Sequence, residues 1–281
     1  MMKKRLSIIL SVLVLCTLCL SSCALLEDVE KTPDSTSAAE TTAADATADD
    51  AVKPVIPVKK AGDPLTVCID AGHGYTDPGC TTDYLDGRYE REIVAEYADV
   101  LKAKLEAAGC RVILLRDDEN YIDADTIASR AHSLGMTFME DKLEHDNRFA
   151  PYNRSVWANV LHRDTYIDLF ISLHIDSFDS MESVRGTRIY YCSETSYSSE
   201  SAALCSSLAE SVKDALPDTN ARSFPKTKSE AYVVTKHTEM PSVLVEMGFA
   251  TNKTDAENIL DEDWREAFCD ALVDGVTKYS K

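Results

Sequence analysis

The chain has 281 residues with 29 Lys and Arg against 48 Asp and Glu, a formal charge of −19 at neutral pH. That balance argues against a nucleic-acid partner. It does not define the charge of a local site, and the length is ample for one domain with a sizeable core.

In chain order, the first segment pairs a basic start (Lys3, Lys4, Arg5) with an apolar run from Leu6 to Leu20. It is too short for a comfortable membrane span and reads as an export signal, residues 1–22. The run closes on Leu20-Ser21-Ser22-Cys23, which resembles a bacterial lipobox, so Cys23 is expected to become the lipidated first residue of the mature protein. Residues 23–60 are rich in Thr, Ala, Asp, Ser and Glu and nearly free of aromatics, a composition that buries too little apolar surface to offset its ordering entropy. They are expected to form a flexible acidic tether that leads into one folded domain, residues 61–281.

Within that domain Leu65–Asp70 reads as a short buried strand that stops at a glycine-rich turn. Ile93, Tyr97, Val100, Leu101, Leu105 and Ala108 then recur at helical spacing until Gly109. The strand Arg111–Leu115 follows, then helix-compatible stretches at Asp123–Leu134 and Arg154–His162, and the most apolar strand, Asp168–His174. TRIYYC, a helix in SSESAALCSSLAESVKDAL, the strand Ser242–Met247 and two closing helices complete the order. The alternation predicts an α/β fold: a single domain with a mostly parallel, twisted central sheet flanked by helices on both faces. Six cysteines fall in this domain, and no CxxC pair points to a particular connectivity.

Functional groups in such folds gather where strands end. Three apolar runs here end at or just before a reactive side chain: His73 in DAGHG, His174 in ISLHIDS, and Glu246 in SVLVEMGF. Two neutral imidazoles and one carboxylate make an open zinc site. Glu90, Glu92 and Glu96 are all candidates for that carboxylate, and Glu90, at a helix start, also suits the helix dipole. An ionised acid at the end of an apolar run, as at Glu246, is costly unless it meets a cation or shares a proton. Beside a metal it could serve as a general base. Asp70 is a candidate acceptor for a ligand imidazole.

DAGHGYTDPG, YEREIVAEYADVLKAKLEAAG with RVILLR, Arg154-x-x-x-Ala-Asn159, DLFISLHIDS, Val184-Arg-Gly186 and MPSVLVEMGFATN occur in one order across Leu65–Tyr279. Together they resemble the zinc-dependent N-acetylmuramoyl-L-alanine amidases of the amidase-3 family. The resemblance implies one Zn²⁺ held by His73, Glu90 and His174, with Glu246 as catalytic carboxylate. The resemblance selects Glu90 over Glu92, because the family's ligand stands immediately before a basic residue, here Arg91. It also implies substrate contacts from Arg154, Asn159 and Lys236, the last standing where an arginine is frequent. The implied reaction is hydrolysis of the amide between N-acetylmuramic acid and L-alanine in peptidoglycan. The expected partners are the stem peptide and muramic acid, and the membrane through the lipid on Cys23; a protein activator is left open. The expected location is the outer face of the bacterial cytoplasmic membrane. Competing readings are a non-catalytic wall-binding lipoprotein and a zinc hydrolase of another amide. An apparent insertion, Met136–Phe149, is expected to border or lid the substrate groove.

Overall fold

The computed structural model describes residues 55–116, 122–178 and 181–281. Cys23, the expected signal and the expected tether up to residue 54 lie outside the described residues. Six strands form one sheet in the order β2-β1-β3-β6-β4-β5. They are β1 (Thr66–Ala71), β2 (Arg111–Leu114), β3 (Leu169–Asp176), β4 (Arg188–Cys192), β5 (Arg222–Lys226) and β6 (Ser242–Phe249). β2, β1, β3 and β6 run parallel. β4 lies antiparallel to β6, and β5 follows β4 in parallel.

The pleat sends alternate residues to opposite faces. Val67, Ile69, Leu169, Ile171, Val243 and Val245 join one core with α1 (Glu90–Ala107), α4 (Ser198–Ala215), α6 (Lys253–Leu260) and α7 (Glu262–Tyr279). Cys68, Phe170, Tyr190 and Leu244 meet α3 (Pro151–Asp164) and α5 (Val233–His237) on the other face. A third cluster packs α2 (Ala124–Ser133), Met136 and Leu143 against α3. Burial on both faces explains why the central strands read as unbroken apolar runs.

β5 was not expected from the sequence. RSFPK is short, carries Pro225 and is partly exposed at the sheet edge, where a missing N–H is tolerated. The five-residue α5 is likewise too short for a helical period to register. All six described cysteines are free thiols.

Candidate metal centre and its surroundings

Parallel pairing aligns the C-terminal ends of β1, β3 and β6. Asp70 lies opposite Ser172, and His174 opposite Glu246. Asp70, His174 and Glu246 therefore project from the same face, the side on which α3 packs. The loop after β1 brings His73 alongside, and α1 begins with Glu90.

Three atoms converge. His73 Nε2 lies 3.0 Å from Glu90 Oε1, and His174 Nδ1 lies 3.1 Å from both that oxygen and His73 Nε2. Among the described residues this trio is the one cluster of His, Cys, Asp or Glu able to hold a metal ion. Tetrahedral bonds of about 2.0–2.1 Å need ligand spacings of about 3.3 Å, so a small outward shift seats a zinc ion. The donor set, two imidazoles and a carboxylate, also suits zinc.

The cradle is made by absent side chains. A Cβ on Gly72 would lie 2.3 Å from the His174 ring, and one on Gly79 would lie 2.6 Å from Glu90 Oε2. His73 itself takes a left-handed backbone at φ 60°, uncommon for a residue with a Cβ. A pair of bonds between the Gly74 and Asp77 backbones closes the turn that holds it there.

Asp77 orients the His73 ring. Its Oδ2 lies 2.8 Å from His73 Nδ1, which fixes the proton on that nitrogen and turns the Nε2 lone pair inward. Asp70, expected in that role, instead accepts hydrogen bonds from Arg154 Nη1 at 2.5 Å and Ser172 Oγ at 2.7 Å. A strand-end acid facing the helix layer is captured by the nearest buried cation. The signal for Asp77 was its place four residues after His73 in the same tight turn.

Glu90 is 2 % exposed, yet accepts backbone N–H bonds from Cys80 and Ile175 in addition to facing both imidazoles. Burial alone would raise its pKa, but the histidine contacts hold it well below the carboxylate range. Its competitors are used elsewhere: Glu92 accepts from the Tyr89 N–H at the helix start, and Glu96 pairs with Arg88 and Arg265. Glu246 behaves oppositely. Burial, then the charges of Asp176 and Glu90, push its pKa well above the normal value against the pull of Arg188. Its Oε2 is buried with no hydrogen-bond partner among the described residues. A dication in the adjacent cluster would oppose that rise.

Of the three residues expected at the substrate, Arg154 lies close enough for its charge to act on His174 and Asp77, whereas Asn159 and Lys236 are set apart from the cluster. Arg154 is 4 % exposed and committed to Asp70. Asn159 is 5 % exposed and ties α3 to the end of α5, donating to His237 O and accepting from Glu239 N–H. Asn159 and Lys236 line a separate cleft of about 420 Å³ with Met136, Phe138, Tyr152 and Tyr197, and neither the three cluster residues nor Glu246 reaches it. The apparent insertion does border the His73 loop. Phe149 packs against Gly74, and the Arg148 guanidinium sits 4.7 Å from the Tyr75 ring centre.

Comparison with known proteins shows the family and the fold. The sequence profile of the N-acetylmuramoyl-L-alanine amidase family matches residues 67–278, well over half of the chain. The chain belongs to this amidase family. It is 28 % identical over 214 residues to the N-acetylmuramoyl-L-alanine amidase LytC of Bacillus subtilis, covering 76 % of this chain but only 35 % of LytC. The B. subtilis protein YqiI is 27 % identical over 227 residues, 79 % of this chain and 90 % of that protein. Among solved structures, the amidase CwlD of Clostridioides difficile, in complex with the GerS lipoprotein, shares the fold with a TM-score of 0.59. That match has 23 % identity and spans 77 % of this chain and 98 % of CwlD. The amidase is thus a cell-wall hydrolase with an α/β fold.

Proposed function

We propose that this amidase hydrolyses the bond between N-acetylmuramic acid and L-alanine in peptidoglycan with one zinc ion, in wall remodelling or daughter-cell separation. The observation that carries the reading is the convergence of His73, Glu90 and His174, with Glu246, whose Oε2 has no hydrogen-bond partner among the described residues, in register beside His174. Zinc, when bound, supplies Lewis acidity toward the amide carbonyl and acidifies water. Everything else falls to the chain. Asp77 fixes the ring of His73, and Glu90 brings a negative charge that is ionised throughout the neutral range. Glu246 stands where it can take the proton of the attacking water and pass it to the leaving nitrogen. Its raised proton affinity suits the second transfer.

The test is digestion of whole sacculi by the purified protein, with zinc measured in parallel. Release of stem peptides that begin at L-alanine is expected from the wild type. Glu246→Gln should lower turnover by about 10²–10⁴-fold, the usual worth of general acid–base help, while retaining zinc. Glu90→Ala should lose zinc and activity together. No release by the wild type would favour a wall-binding lipoprotein without catalysis, and scission at another amide would favour a different zinc hydrolase. On the lipobox-like sequence we also place the mature protein, tethered through a lipidated Cys23, at the outer face of the cytoplasmic membrane.

A further inference from the structure

Arg188 has no use in the machinery above. It opens β4 and lies directly opposite Glu246 in the antiparallel β4–β6 pair, so both side chains project from the same face. Glu246 is flanked by His174 on one side and Arg188 on the other. Although the Glu246 and Asp176 carboxylates both feel its charge, Arg188 forms no ion pair within 4.0 Å with any described residue. Its guanidinium instead lies 4.5 Å from the Phe249 ring centre and 5.9 Å from that of Phe224. It is also close enough to the Tyr190 hydroxyl to interact with it, and a guanidinium stacked on rings keeps its other N–H edge available for a bidentate anion.

The surface continues outward in the same character. Tyr190 meets Phe224 at 5.4 Å and Tyr232 at 5.3 Å between ring centres, and Lys226 Nζ sits 5.2 Å from the Tyr190 ring centre. Lys226, half-buried like Arg188, is likewise outside every described ion pair. In a protein this acidic, two cations outside any ion pair among the described residues, on a half-buried aromatic ledge, stand out.

The direction of the reaction says what meets them. The scissile carbonyl belongs at the His73–Glu90–His174 cluster and the leaving nitrogen over Glu246, so the departing peptide runs on toward β4. Along a muramoyl stem peptide the first anionic group after that nitrogen is the α-carboxylate of the second residue, five bonds and about 6 Å away. Neighbouring strands are about 4.8 Å apart, so one step across the sheet brings that carboxylate to Arg188.

Resting on the amidase reading, we infer that Arg188, supported by Lys226, binds the free α-carboxylate of the second stem residue and selects stem peptides that carry it over those that carry the carboxamide. The experiment compares kcat/KM of the full zinc-loaded protein on two matched disaccharide dipeptides, one ending in D-glutamate and one in D-isoglutamine. The wild type is expected to prefer the carboxylate by about 10- to 100-fold, the worth of a hydrogen bond to a charged group. Arg188→Gln should bring the ratio close to one, and Arg188→Lys should keep part of it because a point charge remains. The edge-strand variant Lys226→Gln should lower the ratio severalfold and guards against a folding defect at Arg188. A residue that only packs on Phe249 or tunes Glu246 would slow both substrates alike, and an unchanged ratio in Arg188→Gln overturns the proposal. Equal rates in the wild type overturn it while leaving the amidase intact. Failure to cleave either substrate, or sacculi, removes the amidase reading and the proposal with it.

Discussion

His73 is the most constrained residue of the site: its backbone is left-handed, its Nδ1 is tied to Asp77 and its Nε2 faces Glu90. Asp77 is therefore expected to matter without touching metal or substrate. Asp77→Ala should weaken zinc affinity by about 10- to 100-fold, measured by competition with a chelator dye, since outer partners of a ligand imidazole typically carry that much. His162, far from the site, offers a pH test. It is 2 % exposed, its Nδ1 accepts the Ile167 N–H, and burial, with Arg163 adding, pushes its pKa down to about 4. Between the ordinary histidine value and about 4 the unfolded chain binds a proton that the folded one refuses. Stability is thus whole above about pH 6.5 and falls as pH drops through this window, by at most about 3 kcal/mol. His162→Asn, which keeps an acceptor for Ile167 but cannot titrate, should flatten that part of the difference in urea midpoint between pH 7 and 5.

At the scale of elements, the tightest helix contact lies between α4 and α7. A Cβ on Gly275 would stand 2.8 Å from Leu208 Cα and 3.1 Å from Ser207 O, while Ser207 Oγ donates to Gly275 O. Alanine is the better helix former by about 1 kcal/mol, but it cannot displace backbone. Gly275→Ala is expected to destabilise by about 1–3 kcal/mol in chemical denaturation, with zinc content unchanged. The apparent insertion is pinned in a comparable way: Asn153 on α3 accepts from Glu144 N–H and donates to Glu144 O. Met136, Leu143 and Phe149 are each below 9 % exposed. Removing Met136–Phe149 would thus strip the α2–α3 core as well as alter the border of the His73 loop.

For the whole folded unit, chain entry and chemistry sit at opposite ends of the sheet. Lys59 Nζ pairs with Asp168 at 2.7 Å, and Asp168 also accepts from Thr66 N–H, both at the N-terminal edges of β1 and β3. Glu246, His174 and the His73 loop occupy the C-terminal edges. The lipid proposed on Cys23 is tested apart from this chemistry. Cys23→Ala is expected to abolish incorporation of labelled fatty acid and release the protein from the membrane fraction, with turnover on soluble muropeptides unaltered. Retention of both label and membrane association would refute the anchor.

The sequence by itself determined the strand and helix order, the parallel core and the three strand ends that carry chemistry, because buried strands and amphipathic helices write their periods directly into the residues. It also pointed to His73, His174 and Glu246, since imidazoles and an acid at the ends of apolar runs are conspicuous. Glu90 was legible only through family resemblance, as its neighbours Glu92 and Glu96 are chemically equivalent on paper. Tertiary structure decided which acid is buried against the imidazoles, that Asp77 rather than Asp70 holds a ring, and that Arg154 is spent on Asp70. It also set Asn159 and Lys236 in another cleft and Arg188 beside Glu246. Those outcomes depend on which side chains come within a few ångströms across strands and helices distant in sequence, and no local periodicity encodes such distances.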